Sequence, residues 1–325
     1  MAPKRKTLTR AISIALLALA GAAGALWFHA GAYGFNVIAR RGGTYWITVA
    51  PNDSRLTPAM RLALKQPAPA ATAAPFAWRT LETGFDVADM PVIAGGHQVD
   101  TILLARIDPA RYRLAVHTAP QGDKGLEEWE RDLPAALLIV NGSYYGFKGA
   151  PDTPLLSAGV AMGPATYDAK GGAFIAGEHS ASVEDLSHRP WRPLFAGARN
   201  AMVSYPLLLG EDGQSHVATK SRWLANRSFI GRDGKGRIII GTTREAFFPL
   251  DRLAAFLKTA PLDLKTALNL DGGPVANQSI RLPHFRRHFQ ARWEAQVSGD
   301  QVKLLRWPIA SATWAMPVVL TVERQ

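Results

Sequence analysis

The segment Thr266-Ala267-Leu268-Asn269-Leu270-Asp271-Gly272-Gly273 constrains the fold of this chain more than any other. Apolar residues carry an Asn and an Asp to a pair of glycines, the pattern of a buried strand that stops in a tight loop. Such a loop holds a carboxylate beside backbone N–H groups. Asp-Gly and Gly-Gly are also common turn dipeptides, so this segment alone is equally compatible with a simple turn. A second segment of the same form, Leu137-Leu138-Ile139-Val140-Asn141-Gly142-Ser143-Tyr144-Tyr145, favours the site reading.

The chain has 325 residues, 47% of them hydrophobic. That is enough for a large core in one or two domains at roughly 100–200 residues each, and it excludes a disordered protein. The formal charge of +11 points to anionic partners, but part of it is local: Lys4, Arg5, Lys6 and Arg10 precede an uncharged run at 11–28, and Arg40 and Arg41 follow it. The run approaches the ~20 residues that span a bilayer. Behind a basic n-region it reads as a signal anchor, with Trp27, Phe28 and Tyr33 as interfacial aromatics and the basic end in the cytoplasm. The expectation is a periplasmic protein anchored to the inner membrane through residues 11–28. Ala18-Leu19-Ala20 offers the alternative, a cleaved signal peptide and a soluble periplasmic or secreted product. The chain has no cysteine, which excludes disulfides and thiolate zinc sites. Nucleic acid is not an expected partner outside the cytoplasm.

The pattern along the chain divides it into the targeting segment 1–41, a juxtamembrane segment and Pro/Ala-rich linker at 42–77, and a globular domain at 78–325. Within the first 77 residues, 42–50 reads as a strand and 54–64 as a helix with Pro58 in its first turn. Thr101–Ile107 and Tyr112–His117 alternate on either side of Asp108-Pro109, as in an antiparallel hairpin. A helix follows at Leu126–Asp132. The clearest hairpin is Arg227–Gly241, two β-rich runs about Asp233-Gly234-Lys235-Gly236. Its glycines sit between two strands, not between strand and helix, so they are no phosphate loop. Leu250–Ala260 is an amphipathic helix ended by Pro261, and residues 316–322 form a closing strand. His284 and His288 share an i, i+4 spacing, but no Glu follows His284 and Pro283 precedes it, so the basic stretch 281–292 reads as a solvated surface or a contact for anionic headgroups. The class expected is α+β, with a mixed β-sheet core, packed helices and an N-terminal transmembrane anchor.

With these segments in order, the sequence resembles the phosphodiester glycosidase family over roughly 100–322. The resemblance rests on Asn141-Gly142-Ser143-Tyr144-Tyr145, where the family has Asn-Gly-Gly-Phe-Phe, then Ser204-Tyr205-Pro206-Leu207-Leu208, Arg227-Ser228-Phe229-Ile230-Gly231 and Ala267–Gly273. After Asp-Gly-Gly the family continues with Gly-Ser-Ser, whereas Pro274-Val275-Ala276 follow here. The resemblance implies hydrolysis of a sugar-1-phosphodiester, on a sugar-phosphate or phosphorylated glycan of the cell envelope. The Pro274-Val275-Ala276 departure motivates the alternative, a non-catalytic glycan- or phosphate-binding envelope protein on the same fold.

The residue types suit that chemistry. A phosphomonoester is a good leaving group, so the site needs charge placement more than a strong acid. The candidate catalytic residues are Asp271, Asn141 and Arg227. Asp271 would steady an oxocarbenium-like centre or activate water, and Arg227 would hold phosphate oxygens together with the N–H groups of Gly142, Gly272 and Gly273. Asn141 and Asn269 would orient sugar hydroxyls or water. Ser143 completes the substrate-binding set with Tyr144, a candidate for stacking on a sugar ring alongside Tyr145. A second carboxylate, if required, is Asp152 or Glu245. No cofactor is expected, and no cluster has convincing metal-ligand spacing.

Overall fold

The computed structural model describes residues 12–24, 46–119, 121–122, 124–146, 149–217, 222–291, 294–305 and 314–325. Residues 12–24 are helical, and Ile12, Ile14, Leu16, Leu17 and Leu19 are exposed on them. No helix among the described residues is long and apolar enough to cross a membrane. Trp27, Phe28, Tyr33, Arg40, Arg41, Arg292 and Trp293 lie outside the described residues.

The body is mostly β-sheet with a few short helices, a strand-rich member of the α+β class. Its central sheet runs in the order Leu207–Leu209, Leu264–Asn269, Ser228–Asp233, Ile238–Thr243, His97–Ile107, Phe85–Ala94, Ala71–Ala73, with Arg79–Glu82 beside Phe85–Ala94. Every strand pairing among the described residues is antiparallel, so the sheets are not of the mixed type expected.

Ile238, Ile239 and Ile240 show why the central sheet reads as continuous apolar runs. Ile239 enters one core cluster, Ile238 and Ile240 the other, so both faces are covered. Each such buried side chain contributes roughly 1.5–3 kcal/mol. One face packs against the helices Pro58–Ala63 and Leu250–Thr259 and the four-stranded sheet of Trp46–Val49, Gln301–Leu305, Glu294–Ser298 and Trp223–Ala225. The other packs against two five-stranded sheets. One of them has the order Phe285–Phe289, Gln278–Leu282, Leu138–Asn141, Val318–Arg324, Tyr112–Thr118.

Two expectations are corrected. Thr101–Ile107 and Tyr112–His117 do not form a hairpin. His97–Ile107 pairs with the preceding strand through a two-residue turn at Gly95-Gly96, both with positive φ, the tighter connection for a right-twisted pair. At Asp108, whose carbonyl accepts from Arg111 and Tyr112, the chain leaves for the other sheet and Tyr112–Thr118 pairs with Val318–Arg324.

The stretch read as juxtamembrane segment and linker joins the domain. Trp46–Val49 pairs with Gln301–Leu305, Ala71–Ala73 pairs with Val92–Ala94, and Leu56 and Met60 are fully buried. Thr57 caps the intervening helix, its Oγ1 accepting from Met60 N at 3.2 Å.

His284 and His288 lie on a β-hairpin, and with Arg286 and Arg287 they are exposed, in line with the solvated surface expected for this stretch. His288 Nε2 sits 2.9 Å from Glu130 Oε1, and Arg287 pairs with Asp89. Arg281 donates to the carbonyls of Glu130, Leu133 and Ala136 at the end of the helix Leu126–Asp132. Much of this basic segment is therefore engaged within the fold.

Candidate active site

The two strand ends meet. Leu138–Asn141 and Leu264–Asn269 belong to different sheets that share a core, and their loops lie side by side. Asn141 Nδ2 donates to the Asp271 carbonyl at 2.7 Å, and Asp271 N donates to the Gly142 carbonyl at 3.0 Å. The Asp271 carboxylate is oriented by its neighbour, since Gly272 N donates to Oδ1 at 2.8 Å. Asn141 and Asn269 are buried. Their Oδ1 atoms, and Oγ of buried Ser143, have no hydrogen-bond partner among the described residues. A buried polar atom of this kind is a ready acceptor for a hydroxyl donor.

Arg227 lies at the junction of the small sheet and the central sheet, between Trp223–Ala225 and Ser228–Asp233. It is 6% exposed, which for an arginine demands specific partners. Nε donates to the Phe248 carbonyl at 3.2 Å and Nη2 to the Trp223 carbonyl at 2.7 Å. Nη1 reaches the Asp271 loop, where it would stand 3.0 Å from a Cβ placed on Gly272. A side chain at 272 would thus displace the guanidinium. Burial draws the Arg227 pKa downward, opposed by the carboxylates of Glu294, Asp271 and Asp251. An arginine remains protonated under such a shift.

Glu294 is the second carboxylate at this loop. Its strand pairs with Trp223–Ala225, Glu294 opposite Ala225, which sets it one step from Asn226 and Arg227. Gly273 N donates to the Asn226 carbonyl at 2.9 Å. Gly273 has φ +70°, and a Cβ there would come within 2.6 Å of Glu294 Oε2, so both backbone and space require glycine.

On the other side of Asn269 lies an aromatic pair. Asn269 Nδ2 donates to Tyr144 Oη at 2.7 Å and to the Tyr205 carbonyl at 3.2 Å. The Tyr144 and Tyr205 rings stack with centroids 4.4 Å apart, and Tyr205 is 42% exposed. Burial raises the Tyr144 pKa far above the usual phenol value, with the Asp271 charge adding to it. Tyr144 therefore stays a neutral phenol. A cation, two carboxylates, two buried amides and a stacked ring pair thus surround one loop.

Residues 135–312 match the sequence profile of the phosphodiester glycosidase (NAGPA) family. The chain belongs to the phosphodiester glycosidase family. A comparison with curated proteins gives no match. Among solved structures, the chain is similar to the zebrafish N-acetylglucosamine-1-phosphodiester alpha-N-acetylglucosaminidase catalytic domain auto-inhibited by its pro-peptide (15% identity, 88% of this chain and 91% of that chain covered, TM-score 0.48). It is also similar to a hypothetical protein from Synechocystis (14% identity, 78% and 64% covered, TM-score 0.49) and to a putative exported protein from Burkholderia pseudomallei (11% identity, 73% and 77% covered, TM-score 0.38). The chain thus spans 64% of the length of the Synechocystis protein.

Within this phosphodiester glycosidase the candidates Asn141, Gly142, Ser143, Tyr144, Arg227, Asn269, Asp271, Gly272 and Gly273 gather around the two joined loops. Their expected roles need adjustment. The N–H groups of Gly142, Gly272 and Gly273 are engaged internally, with Val318 O, Asp271 Oδ1 and Asn226 O respectively. They stitch the loops together, and Arg227 is the group left to meet an anion.

Of the carboxylates proposed as a second acid, Asp152 is exposed and joined to the site by its N–H, which donates to the Tyr144 carbonyl at 3.0 Å. Glu245 lines a separate groove with Asp100, to which its N–H donates at 2.9 Å. Glu294 was not legible, because only the pairing of two short strands brings it to Gly273. Tyr205 carried a signal in Ser204-Tyr205-Pro206, a tyrosine ahead of a proline that stops the strand. Val275 packs with Trp129, Ile139 and Val319, and Pro274 and Ala276 are buried. The residues after Asp-Gly-Gly therefore belong to the core. Among the described residues, no group of three or more His, Asp or Glu side chains is arranged to hold a metal ion.

Proposed function

We propose that the chain is an exported hydrolase that cleaves the glycosidic bond of a sugar-1-phosphodiester on a cell-envelope or extracellular glycan. The observation that carries this reading is Arg227: a buried guanidinium whose third nitrogen is aimed at the loop bearing Asp271, with Glu294 approaching the same loop from the neighbouring strand. A fixed cation next to two carboxylates matches a substrate with an anionic leaving group and a carbon that becomes positive.

In the reaction, the bond between the anomeric carbon and the phosphate oxygen breaks and the phosphomonoester departs with the electron pair. Arg227 stabilises the charge gathering on its oxygens. One of Asp271 and Glu294 steadies the oxocarbenium-like centre, while the other takes a proton from the water that adds to the anomeric carbon. Asn141 Oδ1 and Asn269 Oδ1 accept from sugar hydroxyls, and the Tyr205 ring covers a sugar face. The zebrafish relative, named for a phosphodiester of N-acetylglucosamine, supports that amino sugar as a first probe.

Export is supported by Lys4, Arg5, Lys6 and Arg10 ahead of the uncharged run, and by the exposed apolar side chains of helix 12–24. Periplasmic retention by an uncleaved anchor predicts that cell fractionation recovers the intact N-terminus in membranes. A mature N-terminus beyond Ala20 would overturn it.

The chemical test uses the full chain in detergent with N-acetylglucosamine-1-phosphodiesters in 18O-water. Glycosidic cleavage places the label in the sugar. Label in the phosphate, or wild-type turnover no faster than Asp271→Ala, would rule the reading out.

A further inference from the structure

A groove of about 690 Å³ opens next to the aromatic pair and belongs to none of the residues assigned above. Its size is that of a site for a small ligand or a few sugar rings. Tyr167 and Trp191 supply ring faces, and Lys170, Arg189, Arg192 and His188 supply donors. The two rings are tied to each other, Trp191 Nε1 donating to the Tyr167 carbonyl at 3.0 Å, and Trp191 is braced edge-on by Phe195 at 5.0 Å. The Arg192 guanidinium lies over the Trp191 ring, 5.0 Å from its centroid. Such a cation–π pair leaves the charge available at the rim.

The groove lies beside the candidate active site. Asn269 holds Tyr144, Tyr144 stacks on Tyr205, and Tyr205 adjoins the backbone that carries Tyr167 and Lys170, since a Cβ on Gly171 would stand 3.0 Å from Tyr205 Cβ. The Tyr205 and Tyr167 hydroxyls also influence each other electrostatically, and Asp152 acts on both. The path from the reacting centre thus runs over Tyr144, Tyr205, Tyr167 and Trp191 in turn. Three cations stand in the groove wall: Lys170, in an exposed pair with Asp168 at 3.3 Å, Arg189, and Arg192 over the Trp191 ring. Arg189 is partly neutralised from outside by Glu184 and Glu211.

We propose that this groove is a distal subsite for further units of a phosphate-bearing glycan, so that the enzyme acts on a sugar-phosphate polymer and not on an isolated sugar-1-phosphodiester. The aromatic side chains pack on sugar rings, and Arg192, with Lys170 released from its exposed pair with Asp168, meets the next phosphate along the chain. The inference rests on the proposed function, and it adds that substrate length is read outside the reacting centre.

The test compares oligomers of N-acetylglucosamine-1-phosphate with one, two and four repeat units, using the full chain in detergent. Wild-type kcat/KM should rise roughly tenfold or more between one unit and four. High salt should reduce that gain. Trp191→Ala should abolish it while leaving the one-unit rate unchanged. Lys170→Ala combined with Arg192→Ala, both at exposed positions, should weaken it without risk to the fold. A length-independent kcat/KM, or a gain that survives both variants, overturns the proposal and leaves the hydrolase reading intact. If no oligomer is cleaved, the hydrolase reading fails and calorimetry with the four-unit oligomer decides the groove: binding lost in both variants supports it, and binding unchanged or absent overturns it.

Discussion

Asn141 and Asp271 stand 130 residues apart in the chain and are joined by a 2.7 Å hydrogen bond from the Asn141 amide to the Asp271 carbonyl. The amide thereby fixes the backbone of the residue whose carboxylate faces the loop, while Asn141 Oδ1 stays available as an acceptor. Removing it takes a 2.7 Å hydrogen bond from a part-buried carbonyl, at a cost of about 1–3 kcal/mol. Asn141→Ala should therefore lower both stability and kcat, which urea denaturation and steady-state kinetics measure. Normal activity in a destabilised variant would limit Asn141 to a structural role.

Arg227 has a fork that lysine does not reproduce. Its Nε and Nη2 meet two different carbonyls while Nη1 faces Gly272. Arg227→Lys keeps the charge but loses at least one of these bonds, so the expected result is a stability loss of about 1–3 kcal/mol and a fall of about 100-fold or more in kcat/KM. Comparison of denaturant midpoints with hydrolysis rates checks both parts.

The second carboxylate is decided by three substitutions measured side by side. Glu294→Gln should reduce kcat by about 100-fold or more, the scale of losing one charge-stabilising group. Glu245→Gln and Asp152→Asn should stay within about tenfold of wild type, because one lines a different groove and the other is exposed at the loop rim. The reverse ranking would move the chemistry away from Gly273.

Gly273→Ala combines two penalties, a left-handed φ of +70° and a Cβ within 2.6 Å of Glu294 Oε2. A destabilisation of about 1–3 kcal/mol is expected. Activity should fall with it as Glu294 is pushed aside, and Glu294→Ala in the same background should restore the part of the stability lost to the clash, but not turnover.

His117 gives the fold a pH response. Burial lowers its pKa beneath the ordinary 6.5, with Arg113 and Lys124 acting in the same direction against Glu323. The unfolded chain binds this proton more readily than the native one, so the stabilisation is complete above the unfolded pKa and is lost as pH falls through the folded value. Thermal midpoints of wild type should drop between about pH 7.5 and about pH 5, and His117→Gln should flatten that part of the profile.

Period and punctuation made much of this fold legible. The hairpin around Asp233 forms as its Asp-Gly-Lys-Gly turn requires, with Asp233 Oδ1 accepting from Lys235 N and Arg237 N at 2.9 Å. The helix Leu250–Thr259 follows its apolar stripe, and the strands into Asn141 and Asn269 end beside the residues that mark them. These are local properties, set by backbone propensity and by which face of a segment can be buried. Partner choice was not legible. Tyr112–Thr118 alternates like a hairpin arm, yet its edge is taken by Val318–Arg324 at the far end of the chain. Ala71–Ala73 carries no hydrophobic signal, yet it completes the central sheet.

For the candidate site the division is the same. The amino-acid sequence by itself determined two glycine-punctuated strand ends, the Asn and Asp they carry and an arginine suited to an anion, because those depend on residue type and near neighbours. Only the tertiary structure decided that Asn141 and Asp271 bond across two sheets, that Glu294 and Tyr205 join them, and that the glycine N–H groups are spent within the loops. Those outcomes depend on which distant backbones pack together, and a pairing energy shared across whole sheets leaves no mark on the individual residue that benefits from it.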